Sequence, residues 1–378
     1  MKRRDLLRFA TASLALAYLP AQSSSKLTNK KLVVFILEGG MDGLSAVIPI
    51  GEGRLESYRQ ELVPRDHLTL SRYWALDPAF QSTYKLFSAG HALAIHATNF
   101  PYTLRSHFEG QNFIQGGGSS PFSEKTGWLG RALDLAGLGG RAMSLDTPLI
   151  LRGATALDNF FPSAIPNTPT PSLELLNALD TELSPEWQVV NKVLQDKTKE
   201  RYFTGRDRTP QGLSRQAGLA LSLPNGPSIA VIKIGGFDTH AGQGREQGDR
   251  LQKNFKTLDE CINNLRTTLG GEWSNTTFMT LTEFGRTVKM NGSFGTDHGY
   301  ASAMFVGGGS VNGGAVIADW PGLEKSDRFE GRDLMSTIDS RSICSEILTH
   351  TLGLDHDEIA ERVFFDSSIP RLPVRLFV

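Results

Sequence analysis

The run Leu32–Leu37, inside KKLVVFILEGGMDGLS, constrains the fold more than any other stretch of this chain. It is apolar without alternation and passes straight into Glu38-Gly39-Gly40. A strand with no polar face must be buried on both sides, as in the middle of a parallel sheet covered by helices. The pattern returns in Ser228–His240 (SIAVIKIGGFDTH) and Thr276–Thr287 (TTFMTLTEFGRT), where β-branched runs again end in polar residues and glycine. His91–Phe100, Met143–Gly153, Ser302–Gly309 and Gly314–Asp319 supply further strand candidates.

Helical signals fall between these runs. Arg245–Leu269 carries Leu251, Phe255, Leu258, Ile262, Leu265 and Leu269 near a 3.6-residue period. Ser342–Leu352 and His356–Val363 read as the last helices. The alternation predicts an α/β fold on a mainly parallel sheet with helices on both faces. Proline-rich Pro162–Ser172 interrupts it, and 162–225 is read as a helical insertion or cap within one α/β domain spanning 31–378.

Charge and cysteine usage narrow the function. The chain of 378 residues has a formal net charge of −1 and no basic stripe, which excludes an ordinary nucleic-acid binder. Cys261 and Cys344 form no Cys-x-x-Cys pair, so zinc-ribbon and thioredoxin chemistry are set aside. The start, MKRRDLLRFATASLALAYLPA, joins Arg3-Arg4 to a short apolar stretch. It is expected to be a twin-arginine signal over 1–21, read by the export machinery and followed by a linker over 22–30. The mature protein would be periplasmic or extracellular, with no transmembrane segment.

Polar residues collect just beyond the predicted strand ends, where open α/β sheets bind ligands. They are Asp42, Asp238 with His240, Glu283, and the adjacent pair Asp297-His298. Each alone reads as well as a turn acid or a capped loop, but one shared site accounts for all of them together. Carboxylate and imidazole without thiolate suit a divalent metal, one ion or two, with zinc first and magnesium, manganese or calcium as alternatives. The segment PYTLRSHFEGQ adds Arg105, Ser106 and His107 at a helix start. Ser106 is the candidate nucleophile, with Arg105 or Arg286 neutralising an anionic ester. Equally, Ser106 and Glu109 have the spacing of a capping box. Ser45 and a bound water are the rival nucleophiles, and no Gly-x-Ser-x-Gly elbow supports a serine triad.

Taken as an ordered set, GGMDGLS, PYTLRSHFEGQ, GGFDTH, TEFGRT, GTDHG and ADWPGL resemble the secreted bacterial family called domain of unknown function 1501. That family resembles the alkaline phosphatase and sulfatase superfamily. The resemblance implies a three-layer α/β/α sandwich, one or two metals, and small-molecule or glycan esters of phosphate or sulfate as substrates. By position it implies Asp42, Asp238, His240, Glu283 and His298 as metal ligands and Ser106 as nucleophile; Asp297 and His107 are read beside them as supporting residues. His350 is the alternative last ligand if Asp297-His298 supplies the pair. A non-catalytic envelope relative that binds a partner or glycan is the competing expectation.

Overall fold

The first strand, β1 (Lys31–Leu37), is buried from Leu32 onward in the computed structural model. The structure describes residues 29–138, 142–143, 148–153, 207–223, 226–244 and 250–378. The other strands of the main sheet are β2 (Ala92–Asn99), β3 (Ala142–Met143), β4 (Ile229–Ile234), β5 (Thr276–Thr282), β6 (Ser302–Gly308), β7 (Val316–Ile317) and β8 (Ile338–Asp339). The order across the sheet is β7-β2-β6-β5-β1-β4-β3, with β8 pairing farther along β2. Strand β1 lies between β4 and β5, parallel to both. Within this sheet, among the described residues, only β6 runs against both its neighbours, antiparallel to β2 and β5.

The unalternating apolar run follows from this position. Leu32, Val34 and Ile36 face one core, and Val33, Phe35 and Leu37 face the other. The first core is closed by α2 (His107–Gly116), α3 (Trp128–Leu135) and α6 (Ser340–Leu352). The second is closed by α1 (Gln81–Ser88), α4 (Pro210–Leu221) and α5 (Arg250–Leu269). Each buried side chain of β1 contributes roughly 1.5–3 kcal/mol. The result is the three-layer α/β/α sandwich with a mainly parallel sheet.

Several boundaries move for local reasons. Helix α6 begins at Ser340 because the Asp339 side chain accepts from Arg341 N and caps it there. His356–Val363 is one short α turn followed by a π turn over Ile359–Val363. Met143–Gly153 contributes the two-residue β3 with Ala142, and a 3-10 turn over Leu149–Leu151. Helix α4 starts at Pro210, where the Thr209 side chain accepts from Gly212 N. It belongs to the helical layer, since Ser214 Oγ donates to the Cys261 carbonyl of α5 at 2.5 Å. The remainder of the expected insertion, 162–206 with 224–225, and the expected export signal lie outside the described residues. Among the described residues no helix is long and apolar enough to cross a membrane.

Candidate metal centre

Four loops meet at one end of the sheet. After β1 the chain turns at Gly39, whose φ is +120° and where a Cβ would lie 2.4 Å from Asp238 N. Only glycine lets this turn pack so closely on the loop after β4. Phe237 N donates to the Glu38 carbonyl at 3.2 Å and the Phe237 ring is buried, which fixes Asp238 at that loop's tip.

The chain leaving β5 and the chain entering β6 continue their antiparallel course beyond the sheet. Gly285 N donates to the Tyr300 carbonyl, Gly299 N to the Gly285 carbonyl, and Thr287 N to the Asp297 carbonyl. Arg286 therefore stands directly opposite His298. A side chain at Gly285 would collide with the Ala301 carbonyl, which explains the glycine of TEFGRT. The fourth loop follows β2, passes through Arg105 at φ 59°, and starts α2 with His107.

These loops bring three imidazoles onto a single carboxylate oxygen. Asp238 Oδ1 lies 3.0 Å from His240 Nε2, 3.1 Å from His298 Nε2, 3.3 Å from His107 Nε2 and 2.7 Å from Arg286 Nη1. In every case the other ring nitrogen faces an oxygen acceptor. His107 Nδ1 is 2.7 Å from Glu283 Oε1, His240 Nδ1 is 3.1 Å from Asp297 Oδ1, and His298 Nδ1 is 2.8 Å from the Arg105 carbonyl. A proton on each Nδ1 satisfies those acceptors and leaves each Nε2 with a lone pair aimed at the common point. This is the arrangement by which metal-binding histidines are held.

The donor set fits an ion on an observation independent of composition. His107 Nε2 is buried and has no hydrogen-bond partner: Asp238 is within ion-pair distance, but not in hydrogen-bond geometry. His240 Nε2 and His298 Nε2 face each other at 3.0 Å, an unfavourable pairing of lone pairs without a cation between them. Ligands around a tetrahedral zinc stand roughly 3.3–3.5 Å apart, close to the separations here. His107, Asp238 and His298 can all offer an atom within 4.8 Å of one another, and His240 adds its Nε2 from the solvent side.

The electrostatics agree. Burial works against ionisation of Asp238, yet the hydrogen bond and charge of Arg286, with His107 and His240, hold its carboxyl down at about 2. The hydrogen bond to Glu283 raises His107, whereas burial lowers His298. Asp297 is lowered by the Asn291 amide and then by His240, against the opposing effect of burial.

Some expected residues occupy other positions. Glu283 was expected at the centre with His107 behind it, and the structure has them the other way round. Buried Glu283 accepts from His107, Gly39 N and Gln111 Nε2, with the Thr282 hydroxyl at 3.1 Å, so both its oxygens are engaged away from the centre. Asp297 supports His240, not His298. Asp42 is not brought to the centre: its carboxylate takes Arg59 Nη1 at 2.8 and 3.0 Å, Ser45 Oγ at 2.8 Å and Gln243 Nε2 at 2.6 Å, all buried.

Ser45 donates to that same carboxylate, which places it in the Asp42 network. Ser106 is the N-cap residue of α2, next to His107, without a side-chain cap bond. Glu109 meets the Tyr102 hydroxyl at 3.0 Å, so the capping box is not formed. Arg105 is held by Asp333 at 2.7 Å and Glu330 at 2.5 Å. His350 sits between Lys30 and Ser310, stacked on Phe377, at the end of α6.

The family model described as "Protein of unknown function (DUF1501)" matches residues 87–363, which include all four residues of the cluster. The chain belongs to this family. A comparison with curated proteins finds no match to this DUF1501 chain. Among solved structures, it is similar to Ps i-CgsB in complex with k-i-k-neocarrahexaose, at 10% identity and TM-score 0.44, covering 86% of this chain and 72% of that one. It is also similar to a protein in the alkaline phosphatase superfamily from Vibrio parahaemolyticus, at 10% identity and TM-score 0.42, covering 94% and 76%. A third is the phosphonate monoester hydrolase SpPMH from Silicibacter pomeroyi, at 9% identity and TM-score 0.39, covering 92% and 78%. At these identities the similarity says nothing about chemistry.

Proposed function

We propose that this DUF1501 protein is an exported, metal-dependent hydrolase of phosphate or sulfate esters, acting at a centre formed by His107, Asp238, His240 and His298. The observation that carries the reading is the buried, partnerless Nε2 of His107, aimed where two other imidazoles and Asp238 converge. Three neutral imidazoles and one carboxylate are a donor set for zinc before magnesium or calcium. The ion would supply Lewis acidity at the ester oxygen.

The chain's own residues do the rest. Glu283, Asp297 and the Arg105 carbonyl keep the three Nδ1 protons in place and so keep the Nε2 lone pairs available. Arg286 holds Asp238 ionised. Asp238 and His240 are half exposed, which leaves an open side for substrate. Ser106, at the start of α2 beside His107, is the hydroxyl we assign to attack, and the amino terminus of that helix favours the anion being transferred. The Arg3-Arg4 leader supports the envelope as the setting.

A specific observation favours a second reading, a metal-holding protein without turnover. Both candidate guanidinium groups are engaged by carboxylates, Arg105 by Asp333 and Glu330 and Arg286 by Asp238. One experiment separates the two. Metal content by plasma mass spectrometry is measured alongside hydrolysis of aryl phosphates, phosphonates and sulfates, for wild type, Ser106→Ala and His298→Ala. The hydrolase reading expects about one ion per chain and turnover lost in both variants, with the ion retained in Ser106→Ala. Bound metal without turnover of any ester supports the second reading. No divalent ion in metal-replete protein overturns both.

A further inference from the structure

Asp42 and Arg59 form a buried ion pair that nothing at the centre touches directly, and Gln243 joins its carboxylate to the centre by side-chain hydrogen bonds. Gln243 is 2% exposed. Its Nε2 donates to Asp42 Oδ2 at 2.6 Å. Its Oε1 accepts from Thr239 Oγ1 at 2.9 Å and from Thr296 Oγ1 at 2.7 Å. The same Thr296 hydroxyl accepts from Arg286 Nε at 3.1 Å, and the Thr296 carbonyl accepts from Arg286 Nη2. Arg286 Nη1 then meets Asp238 Oδ1. Arg59 closes the network by donating to the carbonyls of Val288 and Thr287, next to Arg286.

We propose that Gln243 is a positioning residue for the metal centre, linking the Asp42–Arg59 pair to Arg286 through Thr296 and so fixing where Asp238 presents its oxygen. The inference rests on the reading of His107, Asp238, His240 and His298 as metal ligands. Its physical basis is direction. The Asp42 carboxylate accepts from the Gln243 amide nitrogen, which turns the amide oxygen towards Thr239 and Thr296. The Thr296 hydroxyl must then donate to Gln243, which leaves its lone pairs for Arg286. Reversing the amide would set Oε1 against the Asp42 carboxylate and take from the Thr239 and Thr296 hydroxyls the oxygen they donate to. Each member therefore dictates the orientation of the next, and a fully satisfied buried network of this kind holds one geometry. Gln243 also receives its own backbone register from the connection between β5 and β6, since Gln243 N donates to the Phe294 carbonyl at 2.8 Å.

The test uses cobalt(II) as the probe. Affinity and the visible absorption of the bound ion are measured for wild type, Gln243→Leu, Thr296→Val and the distant control Thr83→Val, whose hydroxyl donates to buried Asp259 at 2.7 Å. Gln243→Leu and Thr296→Val are expected to weaken cobalt binding by about 10–100-fold and to change its absorption. Thr83→Val is expected to lose stability while leaving both unchanged. Wild-type affinity and spectrum in either folded linkage variant would overturn the proposal while the metal centre stands, and if Gln243→Leu does not fold, Thr296→Val alone decides. Absence of cobalt binding by wild type would instead overturn the centre itself, and the proposal with it.

Discussion

His240 and His298 meet Nε2 to Nε2 at 3.0 Å while each commits Nδ1 to an oxygen acceptor. With the protons placed on Nδ1, the contact is two lone pairs in opposition, and a cation relieves it. Chelator-treated protein should therefore melt at a lower temperature and recover on adding zinc. Zinc at a hundredfold excess over Kd would contribute about 2.7 kcal/mol. Differential scanning calorimetry checks this, and His298→Ala should show no zinc-dependent shift.

Glu283 acts through His107, so its removal should weaken binding without emptying the centre. In Glu283→Gln one of the two acceptor oxygens becomes an NH2 donor, and His107 loses the charged partner that raises its pKa. Zinc affinity should fall by about 10–100-fold, measured by competition with a chromogenic chelator. An unchanged affinity would mean that His107 is held by other contacts.

Asp42→Ala should behave as a lesion of the fold. It leaves Arg59 buried without a counter-ion, a change that costs about 3–5 kcal/mol. Urea unfolding should show that loss, while folded Asp42→Ala should still take up about one ion per chain. Affinity weakened by about 10–100-fold would be the effect of losing the Gln243 anchor, whereas loss of the ion at saturating metal and full stability would return Asp42 to the ligand set.

His96 sets an acid limit on stability away from the centre. Its Nε2 faces the carbonyls of Gly43 and Val47 at 3.1 and 3.0 Å, and its Nδ1 accepts from Ala97 N at 2.7 Å. That leaves no place for a second ring proton. Burial pushes its pKa down to about 4. Because the folded value lies below the unfolded one, the stabilisation is complete above pH 6.5 and is lost as pH falls through 4. About 3 kcal/mol should disappear across that window. Denaturant titrations of wild type and His96→Gln should differ in slope there, and parallel slopes would contradict the assignment.

The sandwich was legible because β1, β4 and β5 write burial on both faces directly into their composition. The convergence of Asp238, His240 and His298 was legible because polar residues just beyond strand ends share one edge of such sheets. What could not be read was which of two neighbours stands in front. Glu283 and His107 are 176 positions apart and exchange places according to how α2 docks. One signal was available: His107 and Gln111 are four residues apart on a helix, hence on one face, and both reach Glu283. For Asp42, neither Arg59 nor Gln243 carries any local pattern, since a buried ion pair depends on tertiary contact and not on spacing.

Within the main sheet, among the described residues, β6 alone opposes both its neighbours, and this gives the centre an unusual sensitivity to frame. Arg286 and His298 face the same way because they stand opposite each other on adjoining antiparallel segments. Side chains alternate along such segments, so a slip of one residue would turn His298 to the other face and leave the sheet itself intact. Inserting one residue between Lys289 and Gly295 would meet its resistance in the pairing of Gly285, Thr287, Asp297 and Gly299. The ladder thus acts as a ratchet on the position of the ion, and length changes in that loop should be absorbed only at its tip.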